Sequence, residues 1–154
     1  MKDPKQKLVI EHLDAKLQKF TPLLHNPAPE EGWINTVRTA LKMSYRQFGK
    51  RLGKSNNATK SIEKREKEKS ITLKSLEEAG RALNMKLVYG FVPVDSSLEK
   101  MIENRARELA LEIVKTTSNT MALEDQKNTD KRLKKAVEDK AKQLVYEMPR
   151  HLWD

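Results

Sequence analysis

The stretch SYRQFGKRLGKSNNATKSIEKR, which begins at Ser44, most constrains how this 154-residue chain can fold. Ser44 and Ser55 both suit the N-cap position, since a serine hydroxyl can accept a hydrogen bond from a free amide at a helix start. Gly53 lies between them, and glycine readily takes the left-handed conformation that ends a helix. The stretch therefore predicts two short helices, residues 45–52 and 56–65, joined by a tight turn.

The two predicted helices have a clear inner face. Phe48 and Leu52 are four residues apart and share one side of the first helix. Gly49 removes a side chain where the second helix must come close. Ile62 is the clearest core residue of that second helix.

The outer face of the second helix is polar, and its members are Asn56, Asn57, Lys60, Ser61 and Lys64. Groups of this kind can reach base edges and phosphates in a major groove. In helix-turn-helix proteins the second helix enters that groove. A solvated helical hairpin in any all-α protein is the alternative at this point.

Charge and composition favour DNA binding over a solvated helical hairpin. Lys and Arg number 31 against 22 Asp and Glu, which gives a net charge of +9. A basic excess of this size suits a polyanion, nucleic acid before membrane, although it also serves solubility. Without cysteine, disulfides and thiolate metal sites are excluded. No apolar run could span a bilayer and the N-terminus lacks a secretory signal, so we expect a cytoplasmic, nucleoid-associated protein.

The neighbouring sequence predicts an all-α bundle around this pair of helices. Further helices are expected at 33–42 and 72–83, with Asn84 in a left-handed turn after the last one. Arg38 and Lys42, on the first of these, could touch phosphate. An amphipathic helix follows Pro4 and precedes a proline-rich linker; its apolar stripe is Val9, Leu13, Leu17 and Phe20. That helix either packs on the main domain or forms an arm for a partner.

Residues 86–92, KLVYGFV, carry the strongest strand signal in the chain. A single strand cannot stand alone, and no other good strand candidate exists. The economical interpretation is a strand pair across the two-fold axis of a homodimer, formed by Leu87, Val88, Tyr89 and Phe91.

Two helices are predicted beyond this strand. One is capped by Asp95 and Ser96 and runs to about residue 117, the other spans about 128–148, and a polar stretch at 116–120 separates them. The candidate partner-binding residues are Leu98, Met101, Ile102, Leu152 and Trp153. The predicted organisation is an N-terminal helix and linker (1–28), a DNA-binding domain with a short strand (29–94) and a helical extension (95–154).

The sequences LKMSYRQFGKRLGKSNNATKSIEKRE and ITLKSLEEAGRALNMKL resemble the XRE family of phage-repressor and Cro-type DNA-binding domains. The shared features include the glycine turn, the Ile62-Glu63 pair and the closing leucine-rich helix. The resemblance implies a five-helix-type bundle in which Asn56, Asn57 and Ser61 read bases. The residues assigned to phosphate are Ser44, Tyr45, Ser55, Lys60 and Lys64. Family members often carry glutamine where this chain has Tyr45.

Nearly the whole chain resembles the family called mobile mystery protein A, through NMKLVYGFVP, SLEKMIENRARELA and MPRHLWD. That resemblance implies a regulator encoded beside a Fic-domain protein, as in a toxin–antitoxin pair. Its function would be repression of its own operon at a palindromic double-stranded DNA operator.

Other classes of function fit less well. His12, His25 and His151 are widely spaced, and no catalytic or phosphate-binding motif occurs, so we expect neither an enzyme nor a cofactor or metal. A protein-binding inhibitor of a Fic-type partner is the alternative. Glu103-Asn104 comes nearest to the known inhibitory motif, but Glu99 stands where Ser or Thr is required. RNA binding lacks an aromatic stacking platform.

Overall fold

The computed structural model describes residues 1–118 and 126–154, and all regular secondary structure in these ranges is helical. The α-helices are α1 (Pro4–Leu17), α2 (Trp33–Ala40), α3 (Tyr45–Leu52), α4 (Asn56–Lys67), α5 (Leu73–Ala82), α6 (Leu98–Ser118) and α7 (Gln126–Glu147). Short 3-10 helices lie at Gln18–His25 and Arg150–Trp153. The chain divides into two compact units. The central unit is Leu23–Gly90, and the flanking unit combines Met1–Pro22 with Phe91–Asp154.

Local sequence sets the ends of the helices in the central unit. The Ser44 hydroxyl accepts a hydrogen bond from the Gln47 amide, and the Gln47 side chain accepts one from the Ser44 amide, which completes a capping box. The Ser55 hydroxyl caps α4 in the same way through the Ala58 amide. Gly53 takes the left-handed conformation with φ of 67°. The predicted starts and turn of α3 and α4 are therefore confirmed.

The core of the central unit is small and shared by four helices. Phe48 of α3 is fully buried, and the other buried apolar residues are Ile34, Ile62, Ala79 and Leu83. Asn84 follows α5 with φ of 58°, as its sequence predicted. Burial of this cluster fixes α3 and α4 against α2 and α5.

A side chain from α4 supplies the cap that α2 lacks. Gly32 precedes α2 and offers no side chain, but the Glu66 carboxylate accepts hydrogen bonds from the backbone amides of Trp33 (2.8 Å) and Ile34 (2.9 Å). Two free amides at a helix start are thereby satisfied by a negative group, which also suits the helix dipole. This contact ties the beginning of α2 to the end of α4.

The flanking unit is built on the long pair α6 and α7. These helices run antiparallel, since Glu99 and Ile102 lie beside Val145, whereas Leu111 lies beside Leu133. Its buried residues are Ile10, Ile102, Ala106, Ala110, Leu144 and Leu152. The fully buried alanines let the helices approach closely. The polar stretch predicted between α6 and α7 extends beyond the described residues.

The N-terminal helix joins this unit by a face that differs from the predicted one. Ile10 is buried, while Val9 and Leu13 of the predicted stripe remain 57% and 41% exposed. Asp14 of α1 accepts hydrogen bonds from the amides of Leu98 (2.7 Å) and Glu99 (3.2 Å). The cap of α6 is thus supplied by α1, with Ser97 bonding the Lys100 amide. The prediction that Asp95 and Ser96 cap this helix was wrong, because the helix begins at Leu98, where Ser97 and the distant Asp14 accept hydrogen bonds from its first amides.

The C-terminal residues fold back onto α6. Arg105 donates to the carbonyl oxygens of Leu152 (2.7 Å) and Asp154 (2.6 Å), and the Leu152 side chain is fully buried. The segments predicted as separate extensions, 1–28 and 95–154, therefore contribute their helices α1, α6 and α7 to one unit.

The predicted strand at 86–92 has no regular secondary structure in the single chain. A strand needs a neighbour to satisfy its backbone, and the described residues provide none. The pairing across a dimer stays a prediction. Among the described residues, no helix is both long enough and apolar enough to cross a membrane.

Candidate nucleic-acid interface

One continuous polar face runs along α4. At about 100° per residue, its five predicted contact residues span about 140° of the helix surface. All five are exposed, and they are Asn56, Asn57, Lys60, Ser61 and Lys64. The buried residues Thr59, Ile62 and Glu63 lie outside this arc, at about 240–340° on the same count. The face is therefore presented by a helix that is packed against its unit through these three residues.

The turn into α4 is held by a close backbone approach. A Cβ added at Gly49 would lie 2.7 Å from the Lys54 carbonyl oxygen and 3.0 Å from Thr59 Oγ1. Only glycine avoids that clash, as its sequence position predicted. The Gly49 carbonyl also accepts a hydrogen bond from the Lys54 amide at 2.9 Å. These contacts fix the direction in which α4 leaves the turn.

A buried ion pair sets the position of α4 against α2. Arg38 and Glu63 are 7% and 5% exposed. Arg38 Nε donates to Glu63 Oε1, and Arg38 Nη2 donates to Glu63 Oε2 at 3.2 Å. Arg38 Nη1 donates to the Met43 carbonyl oxygen at 2.8 Å, and Asn35 donates to Glu63 at 2.7 Å. The prediction that Arg38 could touch phosphate is corrected, because its donors are directed inward.

Tyr45 belongs to the same network. Its hydroxyl donates to Glu63 Oε2 at 3.1 Å, and the Arg38 guanidinium lies 4.0 Å from its ring centroid. The ammonium of Lys60, on the exposed face of α4, lies 5.3 Å from the same ring. The hydroxyl predicted to contact phosphate thus has an internal partner, and the ring lies between the buried pair and the polar face.

The protonation of this network follows from its contacts. Burial alone would raise the pKa of Glu63, but hydrogen bonds from Arg38 and Asn35 and the guanidinium charge bring that pKa below its usual range. The hydrogen bond to Glu63 raises the pKa of Arg38. Burial, followed by the bond to Glu63, raises the pKa of Tyr45. At neutral pH the site therefore holds a charged carboxylate–guanidinium pair and a neutral phenol.

The positive charge of the chain is concentrated in the central unit. Leu23–Gly90 contains 14 Lys and Arg against seven Asp and Glu, which is +7 of the total +9. The flanking unit contains 17 against 15, which is +2. Two of the central carboxylates, Glu63 and Glu66, are directed into internal hydrogen bonds. The unit that presents the polar helix face is thus also the basic one.

Similarity to known proteins adds nothing to this geometry. No protein-family model matches the chain, and no curated protein or solved structure matches it either. The resemblances described from the sequence stay predictions.

The remaining predicted site residues have mixed positions. Ser44 and Ser55 are exposed caps that already bond backbone amides. Ile102 and Leu152 of the predicted partner surface are buried in the flanking unit's own core. Their burial leaves no apolar surface on these two side chains for a Fic-domain protein. Leu98 and Met101 are half-buried and Trp153 is 48% exposed, so that hypothesis now concerns these three residues.

Sequence reasoning missed the residues that position the face. In the sequence Glu63 stands out only as part of the Ile62-Glu63 pair, and no local pattern marks Glu66. A signal did exist for Glu63, since it lies four residues after Thr59 and so one turn further along the same side of α4, where an ionised carboxylate requires a buried partner. Nothing in the local sequence identified Arg38 as that partner.

Proposed function

We propose that this protein is a sequence-specific double-stranded DNA-binding regulator whose α4 enters the major groove. The observation that carries the proposal is the exposed, entirely polar face of α4 on a helix that is fixed from behind. Asparagine suits adenine, because its amide can accept and donate to the N6/N7 edge together. Asn56, Asn57 and Ser61 are assigned to bases, in the manner of a helix-turn-helix protein.

The basic side chains on the same face have a different role. Lys60 and Lys64 lie beside the asparagines and provide charge for phosphate, which positions the protein without selecting sequence. The exposed hydroxyl-bearing caps Ser44 and Ser55 lie at the two helix starts. The charge of the central unit supports this division, because phosphate neutralisation supplies most of the non-specific affinity. Repression of the protein's own operon is the corresponding biological role.

The test is binding of the full chain to DNA from upstream of its own coding region and to a scrambled duplex of equal length. We expect tighter binding to the upstream DNA and a steep loss of affinity with salt. Asn57→Ala should cost about 1–3 kcal/mol on the true site and almost nothing on the scrambled duplex. Fluorescence anisotropy at several salt concentrations measures the affinity for each duplex and its dependence on salt.

Asn26→Ala is the matched control, because Asn26 is an exposed asparagine of the same unit that lies outside α4. It should leave both affinities unchanged. Equal weakening of both duplexes by Asn57→Ala would contradict base reading. Equal affinity of the unaltered protein for both duplexes would contradict the proposed function itself.

A further inference from the structure

The segment after α5 exposes apolar side chains to an unusual degree. Val88, Tyr89 and Phe91 are 78%, 65% and 81% exposed. They belong to a run that contains a single charged residue, Lys86. Three large apolar side chains within four residues at this exposure are of the kind that marks an interaction surface.

The backbone of the same segment is also unsatisfied. Residues 86–92 have no regular secondary structure, and within the described ranges their amides and carbonyls make no backbone hydrogen bond. The composition is rich in β-branched and aromatic residues, which favours strands. The segment thus has the side chains of a strand and an open backbone edge, and it lacks only a second strand.

We infer that residues 86–92 pair antiparallel with the same segment of a second copy, about a two-fold axis at Tyr89. Such an isologous contact is the commonest arrangement in homo-oligomers. The ribbon joins two copies through main-chain hydrogen bonds and through the exposed Val88, Tyr89 and Phe91.

The register centred on Tyr89 follows from three features of the run. Tyr89 is its middle residue, so all seven positions pair, and Pro93, which has no amide to donate, falls outside the ladder at both ends. Leu87 of one copy then lies opposite Phe91 of the other, and Val88 lies opposite Gly90. An axis at Gly90 would instead place Pro93 opposite Leu87, inside the ladder.

Charge also favours a second copy as the occupant. In this register the two Lys86 side chains lie at opposite ends of the ribbon, about 20 Å apart at about 3.3 Å per residue. No like charges face each other, and Lys86 lies opposite Val92. The run can therefore pair with itself along its whole length without placing like charges opposite each other.

The absence of cysteine from the chain makes the pairing directly testable without DNA, so the result is separate from that of the proposed function. Tyr89→Cys should form a disulfide-linked dimer under mild oxidation, because directly opposed residues lie about 4.5–5.5 Å apart between Cα atoms, within disulfide range. Val94→Cys is the matched control, since Val94 is fully exposed but lies beyond Pro93. It should stay largely unlinked.

The register has its own test. Leu87→Cys and Phe91→Cys should each link poorly alone, whereas their mixture should give the linked heterodimer, because these positions face each other only across the two-fold axis. In parallel, Val88→Pro and Tyr89→Pro are both measured, because alternate residues of a two-stranded ribbon donate across it and one of these two substitutions must remove such an amide. That variant should convert a dimer to a monomer in sedimentation velocity. Val88 and Tyr89 are exposed and lie outside every helix, so the helical far-UV circular dichroism signal should not change.

Efficient linkage at Tyr89, weak linkage at Val94 and dissociation by Val88→Pro or Tyr89→Pro together support the inference. A full chain that is monomeric up to high micromolar concentration would overturn it. So would a dimer that survives both proline substitutions, or one that links no better through position 89 than through position 94.

Discussion

The two units of this molecule achieve fixed helix positions by opposite means. The central unit packs four short helices around a small apolar core and places a charged pair, Arg38 and Glu63, in its interior. The flanking unit packs two long helices through apolar residues and alanines. Within the described residues, the ion pairs of the flanking unit are exposed or half-exposed surface pairs.

This difference between the two units concerns the orientation of their helices more than the stability of the fold. A buried ion pair is weak evidence for stability, since desolvation offsets much of the attraction. It is satisfied in one arrangement only, because Glu63 must meet Arg38 and Asn35 from α2 and Tyr45 from α3 at once. We infer that this requirement fixes α4, and with it the polar face, in one orientation. The flanking unit needs no such constraint to bury its apolar residues.

The largest expected effect is on the free energy of unfolding, when a hydrogen-bonded arginine is removed from each unit: Arg38 from the central unit and Arg105 from the flanking unit. Arg38→Ala leaves Glu63 buried without its counter-charge and should lower the free energy of unfolding of the central unit by about 3–5 kcal/mol. Arg105→Ala removes the two hydrogen bonds to the Leu152 and Asp154 carbonyls and should cost the flanking unit about 1–3 kcal/mol. Loss of Arg38 from the buried pair should thus destabilise its unit more than loss of Arg105 destabilises the flanking unit.

The chain allows each unit to be followed separately, because its two tryptophans, Trp33 and Trp153, lie in different units. Urea unfolding would be monitored by fluorescence in Trp153→Phe and Trp33→Phe backgrounds. Arg38→Ala should shift the Trp33 transition, and Arg105→Ala the Trp153 transition. If each substitution shifts both transitions equally, the units unfold together and the comparison fails.

A smaller effect should appear on acidification. The pKa of Glu63 is lower in the folded protein than in the unfolded chain. Its contribution is therefore present above the unfolded pKa, near 4.5, and is lost as the pH falls through the lower folded pKa. The stability of the Trp33-reported unit should thus fall below about pH 4.5, and Glu63→Gln should remove this part of the decline.

The chain carries other carboxylates, so the informative quantity is the difference between the unaltered protein and Glu63→Gln. Glu108→Gln is the control, because Glu108 pairs with Arg105 at the surface of the flanking unit and its side chain is 66% exposed. It should change the acid response little. Parallel pH profiles for the unaltered protein and Glu63→Gln would show that the buried pair is not the acid-sensitive element.

The sequence predicted the local features of the central unit well, since they depend on nearby residues. Ser44, Gly53 and Ser55 specify their caps and turn by chemistry that operates within four residues. Most of the missed features join distant parts of the chain: Glu66 caps α2, Asp14 caps α6, and Arg38 meets Glu63 from another helix. The Ser97 cap of α6 is the local exception. On α1, spacing alone selected the Val9–Leu13 stripe, while packing against α6 buried Ile10. Local periodicity does not determine which side of a helix meets its neighbour.

The smallest expected effect is a change in the salt dependence of DNA binding when one lysine is removed from either unit. Lys64 is on the polar face of α4 and its side chain is 73% exposed, with Glu68 at 3.7 Å. An exposed pair of this kind contributes about 0–1 kcal/mol, so Lys64→Ala should leave stability almost unchanged. If Lys64 contacts phosphate, its removal should weaken binding to all DNA and lower the slope of log affinity against log salt by about one unit.

Lys135→Ala is the control for this prediction. Lys135 is an exposed lysine on α7 of the flanking unit, so its removal takes the same charge from the unit with the smaller excess and should leave the slope unchanged. An equal fall of the slope in both variants would mean that DNA responds to the net charge of the chain, and the polar face of α4 would then lose its assignment as the site of phosphate contact. A slope unchanged by Lys64→Ala would remove Lys64 from the contacts.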